Sequence, residues 1–204
     1  HTRCLRVSWA RRCVYETELH TLLNEDPQSD KLRRTQAIAN LLFLFCGMPF
    51  VDLAHLRKSD LKDGYLTLRR RKTGMPLSAR VDSRAMQLLE RYRNRDDTSP
   101  YLLCFLDGSL EGMAAYRDYL RILRLLNSKL RALALWRKVP GKVTSYTARH
   151  TWATAGKYCH VPIEIISEGL GHASVTTTEG YMKGFGNSRM DRANKVIMNY
   201  IFES

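Results

Sequence analysis

The sequence predicts a mainly α-helical domain with one small antiparallel β-hairpin. Apolar residues recur at three- and four-residue spacing over most of the chain, and strict alternation is confined to residues 64–81. The 204 residues, 44% of them hydrophobic, suit one sizeable core. From Asp30, a candidate N-cap, Ala37, Ile38, Leu41, Leu42 and Phe45 mark a helix that Gly47 and Pro49 break, and residues 50–56 restart a short one. Residues 64–70 and 76–81 read as strands joined at Thr73-Gly74. Ser83 then caps a helix carrying Met86, Leu89 and Tyr92, and residues 94–100 form a polar connection. A long helix follows over about residues 110–137, its Leu120, Leu123, Leu126, Leu130 and Leu133 interleaved with Arg117, Arg121, Arg124 and Arg131. Thr144 or Ser145 caps a helix bearing Arg149, Trp152 and Tyr158; Pro162 opens another that ends at residues 169–171. Ser174 begins a short helix holding Tyr181, and residues 191–202 form a final amphipathic helix.

The 33 Lys and Arg against 20 Asp and Glu give a formal charge of +13, which favours a polyanionic partner bound with strong salt dependence. The apolar content is too high for a disordered basic tail. Cys4, Cys13, Cys46, Cys104 and Cys159 are scattered and form no C-x-x-C pair, so reduced, partly buried thiols in a cytosolic protein are expected. No signal peptide and no membrane-spanning apolar run is read in the sequence. The chain opens on His1, as a fragment of a longer protein would.

Tyr181 stands nine positions after His172, and Tyr146-Thr147-Ala148-Arg149-His150 lies upstream. That order suggests phosphate chemistry on a basic chain. A free tyrosine has a pKa near 10, so only about 0.1% is phenolate at neutral pH, and a nucleophilic tyrosine needs neighbours that take its proton or hold its anion. The transition state of attack on a phosphodiester gathers charge on non-bridging oxygens, which calls for fixed cationic donors. Arginine meets that need with a planar fork that holds two oxygens at once.

Together, Tyr-Thr-Ala-Arg-His at 146–150, Leu-Gly-His at 170–172, Thr-Thr-Glu-Gly-Tyr at 177–181 and Arg-Lys-Thr-Gly at 71–74 resemble the catalytic domain of tyrosine recombinases, the phage-integrase family. Gly-Met-Pro-Phe-Val-Asp-Leu-Ala at 47–54 looks closest to integrases of Bacteroides-type mobile elements. The resemblance covers residues 13–204 and implies the tyrosine-recombinase catalytic-domain fold, with residues 1–12 a basic linker and an N-terminal core-binding domain absent from the chain. It implies that Tyr181 forms a 3′-phosphotyrosyl bond, Arg149 clamps the scissile phosphate, His172 assists there and Lys72 protonates the leaving 5′-oxygen. Tyr146 stands where most members carry histidine; its hydroxyl donates to the phosphate or is simply packed. Arg69, Arg70 and Arg71 make a basic DNA-binding tip, and Arg71 competes with Lys72 for the lysine's role. His150, adjacent to Arg149 and so on another face, is a DNA-binding candidate or a structural residue.

One expected arginine is missing. Most members place it shortly after the glycine, where this chain has Pro49, and Bacteroides-type relatives place it just before, where Cys46 stands; Asp52 is the acidic follower. Arg57, Arg34 or a partner subunit are the replacements considered. The implied activity is site-specific DNA breaking and joining on double-stranded DNA, with no metal or nucleotide cofactor. It would run in a homo-tetramer assembled from free monomers, aided by DNA-bending accessory proteins, in the cytoplasm at the bacterial nucleoid. The residue 191–202 helix would dock on a neighbouring subunit or pack in cis. The competing reading is a degenerate relative that binds DNA without cutting it.

Overall fold

The computed structural model describes residues 22–24, 26–27, 29–172 and 174–179. Tyr181, the entry segment with its boundary at residue 12, and the 191–202 helix lie outside the described residues. In chain order the elements are α1 (Asp30–Leu44), α2 (Phe50–Ala54), β1 (Leu61–Lys62), β2 (Tyr65–Arg69), β3 (Pro76–Arg80), α3 (Ser83–Tyr92), α4 (Gly112–Trp136), α5 (Thr147–Tyr158), α6 (Ile163–Leu170) and α7 (Val175–Glu179).

α1 is the central helix, packed against α3, α4 and α5. Its Leu41 and Leu42 share one core cluster with Leu53, Leu56, Leu126, Leu130 and Leu133, so the three-and-four spacing read in α1 and α4 is the spacing of buried stripes. A small second cluster of Ala153, Ile166 and Leu170, with Trp152 against it, joins α5 to α6.

The sheet is antiparallel in the order β1-β2-β3, with Leu66 opposite Ala79 and Leu68 opposite Leu77. Leu66 and Leu77 face the core while Tyr65, Thr67, Arg69 and Arg80 face outward. β1 is an addition to the expected hairpin; at two residues it is too short for alternation to show. α2 stops at Ala54, earlier than expected, because the chain beyond it turns to sheet-like pairing: the Leu102 amide donates to the Leu56 carbonyl at 2.7 Å.

Helix starts shift by one residue. Ser29 is the N-cap of α1 and leaves Asp30 in the first turn. Asp82, rather than Ser83, caps α3 by accepting from the Ala85 amide at 2.6 Å, a charged acceptor at the positive helix end. Neither Thr144 nor Ser145 caps α5. Tyr146 holds the N-cap position, while the Thr144 hydroxyl accepts from the Tyr146 amide and the Thr147 hydroxyl from the Thr144 amide. The thiols also differ from expectation: Cys46 is half-buried, but Cys104 and Cys159 are exposed.

The break after α1 is a pair of left-handed residues, Cys46 at φ 57° and Gly47 at φ 62°. A Cβ on Gly47 would sit 2.9 Å from the Arg149 Cα, so α5 approaches this turn backbone to backbone. Gly47→Ala is therefore expected to destabilise the domain by about 2–4 kcal/mol, from left-handed strain plus displacement of α5, read by chemical or thermal melting.

Candidate active site

α5 enters its first turn through the residue 144–147 hydroxyl network, and this brings Arg149 into the interior, 5% exposed. Its Nη1 donates to the Gly47 carbonyl at 3.0 Å and its Nη2 to the Leu170 carbonyl at 2.6 Å. The same Nη2 lies 3.0 Å from His172 Nε2. A guanidinium only donates, so Nε2 accepts and the ring proton sits on Nδ1, donating to the buried Thr178 hydroxyl at 2.8 Å. The imidazole is thus fixed in one tautomer between α5 and α7.

Three cations surround that ring. Burial, then Arg149, Arg70 and Lys72, push the His172 pKa down to about 4. His172 is neutral at pH 7, with Nε2 held as an acceptor toward the buried Arg149 guanidinium.

α6 ends where Gly171 adopts the left-handed conformation, φ 69°, as the Pro-first, Gly-last pattern anticipates. A Cβ there would lie 2.9 Å from the Arg70 Nε, so glycine is required by both backbone and neighbour. The hairpin turn is tied to the same loop by the Thr73 hydroxyl, which donates to the Gly171 carbonyl at 3.2 Å.

Arg70 departs from the sequence expectation. Rather than joining an exposed DNA-binding tip, it is 3% exposed. Its Nη1 faces Asp52 Oδ2 at 3.3 Å and its Nη2 donates to the Gly169 carbonyl at 2.6 Å. The Asp52 Oδ1 accepts from the Arg71 amide at 2.9 Å. Arg69, Arg71 and Lys72 are exposed as expected, with Arg69 bonded to the Gly74 carbonyl across the turn. The signal that marks Arg70 was in the sequence. Leu66, Leu68 and Arg70 share one parity, so the hairpin that turns the two leucines toward the core turns Arg70 inward as well.

Tyr146 is 42% exposed, and its ring meets that of His150 at 5.8 Å, four residues on along the same helix face. The expected separation of His150 from Arg149 holds: Arg149 is buried while His150 is only partly so. Of the replacement arginines considered, Arg34 is held at the Cys104 carbonyl and thiol, and Arg57 is exposed at the 3-10 turn Lys58–Asp60. On α4, Arg121 pairs with Asp118 and Arg131 bonds the Asn127 carbonyl, so both are tied to their own helix.

The chain matches the phage integrase family over residues 12–186. It belongs to that family, and its fold is the tyrosine-recombinase catalytic-domain fold. It is 29% identical over 175 residues to the tyrosine recombinase XerA of Pyrococcus furiosus, covering 84% of this chain and 57% of that protein. The chain spans about half the length of the curated relatives it matches. Among solved structures it is similar to the XerH site-specific recombinase bound to difH substrate, a pre-cleavage complex, with TM-score 0.64, 18% identity, and 90% of this chain and 53% of that one covered. It is also similar to the Tn1549 transposon integrase in complex with circular intermediate DNA, at TM-score 0.61 and 15% identity, covering 89% of this chain and 66% of that one. Among the described residues no helix is long and apolar enough to cross a membrane.

The depressed His172 pKa has a signed consequence. The unfolded histidine titrates near 6.5, whereas the folded one resists protonation until about pH 4. Below pH 6.5 the unfolded chain binds a proton that the folded chain refuses, so stability falls as pH drops toward 4 and this contribution is flat outside that window. Urea melts of the protein and of His172→Gln across pH 4–8 should show a shallower acid decline in the variant.

Proposed function

We propose that this domain cuts and rejoins double-stranded DNA at specific sites through a covalent 3′-phosphotyrosyl intermediate. The observation that carries the reading is the convergence of buried Arg149, Arg70 and the hairpin Lys72 around a neutral histidine, with Asp52 as the carboxylate against this cluster. Such a centre suits a phosphodiester and repels further cations.

In the proposed step the Tyr181 oxygen attacks the scissile phosphorus and its proton passes to a base or to water. The P–O5′ bond breaks, and Lys72 gives its proton to the departing 5′-oxygen. Arg149 and His172 hold the non-bridging oxygens, and the phosphate charge draws the His172 pKa upward as DNA docks. A 5′-hydroxyl from a second strand reverses the step, so the bond energy is conserved and no cofactor is invoked. Tyr146 sits half-exposed at the N-terminus of α5, which supports a role as an additional phosphate donor. Arg69, Arg71 and His150 are proposed to contact the flanking backbone.

The division into a linker at 1–12 and a catalytic domain over 13–204 belongs to this proposal, as do a tetramer on DNA formed from free monomers, DNA-bending accessory proteins and work at a bacterial nucleoid. The phrase at residues 47–54 supports a Bacteroides-type mobile element as the source. A degenerate, non-cutting DNA-binding relative is favoured by one specific observation, the absence of arginine at positions 46 and 49.

Incubation with a duplex nicked beside the scissile phosphate should give a protein–DNA adduct that survives denaturation and vanishes in Tyr181→Phe while DNA binding remains. Binding without an adduct, on DNA that carries the site, would select the degenerate relative. Lys72→Ala should slow cleavage by about 10²–10³-fold, the size typical of losing a placed transition-state donor. A 5′-bridging phosphorothiolate, whose thiolate leaves without a proton, should restore most of that loss.

A further inference from the structure

We propose that Arg70, delivered by the β-hairpin, is the phosphate-clamping arginine that positions 46 and 49 lack; the inference rests on the recombinase reading above. The two buried guanidiniums are mounted alike. Nη2 of Arg70 donates to the Gly169 carbonyl and Nη2 of Arg149 to the next carbonyl, Leu170, each at 2.6 Å. Both lie close enough to His172 to depress its pKa, and Arg70 also acts on the Cys46 thiol at the position that lacks the guanidinium. The hairpin therefore brings a cation to the place from which the helix end contributes none.

Arg70 is also incompletely used. A guanidinium has five N–H donors. Among the described residues Arg70 engages two of its nitrogens, one of them at a long 3.3 Å to a single Asp52 oxygen, and its buried Nε has no hydrogen-bond partner. A structural ion pair would close a bidentate fork. Asp52 instead gives its other oxygen to the Arg71 amide, which fixes the end of the strand and leaves the guanidinium with donors to offer. An incoming phosphate oxygen would take the remaining Nη donors and offset the excess charge together.

The test uses the protein's own site, recovered from a genomic duplex library as the DNA that becomes covalently attached to it. Single-turnover adduct formation is measured for wild type, Tyr181→Phe, Arg70→Ala and Arg70→Lys. Each is run on a normal scissile phosphate and on a methylphosphonate, which lacks one charged non-bridging oxygen. Arg70→Ala is expected to lose about 10²–10³-fold on phosphate and to recover to within about tenfold of wild type on methylphosphonate, because the charge it neutralised is gone. Arg70→Lys, which keeps the charge without the fork, should fall between them on phosphate.

If Arg70→Ala cleaves phosphate at the wild-type rate, or loses equally on both substrates, the clamp assignment is overturned while the recombinase reading stands. If wild type captures no DNA at all, the recombinase reading itself fails and this inference with it. Should Arg70→Ala show no melting transition, Arg70→Met combined with Asp52→Asn removes both buried charges and is read by the same two-substrate comparison.

Discussion

Two consecutive carbonyls at the end of α6, those of Gly169 and Leu170, organise the site, because each is held by an arginine from a different element. A helix leaves its last carbonyls without internal partners, and the macrodipole makes that end negative. Guanidiniums are fitting partners there. One comes from the hairpin just after β2 and the other from α5, so a single helix terminus joins the hairpin, the α5 helix and the loop carrying His172. The left-handed Gly171 is what lets the chain turn away without striking the Arg70 Nε. None of these contacts would survive a sideways shift of α6, and the Trp152 ring packed against Gly169 prevents one, since even a Cβ there would lie 2.7 Å from it.

The same arrangement concentrates positive charge at a cost that an anion relieves. Arg149 and Arg70 are buried, Lys72 is near, and Asp52 pairs with Arg70. A buried charge pair returns little net stability against its desolvation, and the Arg70–Asp52 pair is too long to be an efficient one. His172 absorbs part of the tension by staying neutral, with Nε2 accepting from Arg149 and Nδ1 bonded to Thr178. In the proposed function a bound phosphate would offset the local positive field, favour the charged ring and let the histidine donate to the anion.

Periodicity made α1, α4 and the hairpin legible, since each places large apolar side chains on one repeating face. Helix starts were off by one residue where a neighbouring serine or aspartate competed for the cap, as at Ser29 and Asp82. β1 was invisible because two residues carry no period. For the site, the spacing of Arg149, His172 and the hairpin lysine was readable, and the structure brings these groups to one histidine. Arg70 was missed because three consecutive arginines look like a solvated tip. Composition hid what strand parity would have shown, that the middle arginine shares the side of Leu66 and Leu68. The burial of Asp52 depends on a partner 18 residues away, which local pattern does not reveal.

A phosphate clamp is defined by where its guanidinium lies, and several backbone origins can reach one point. At the end of α1 the chain occupies two left-handed residues in succession and packs Gly47 against the Arg149 backbone. A long side chain leaving Cys46 in that conformation would be aimed by a strained turn. A strand is a firmer mount: Arg70 is fixed by ladder pairing up to Arg69, by its own amide bonded to the Met75 carbonyl at 2.9 Å, and by Asp52 behind it. Placing both Arg70 and Lys72 on one hairpin ties the proposed clamp to the proposed proton donor. The Thr73 hydroxyl between them anchors the hairpin to the histidine loop, so a displacement of the turn disturbs clamp and proton donor together.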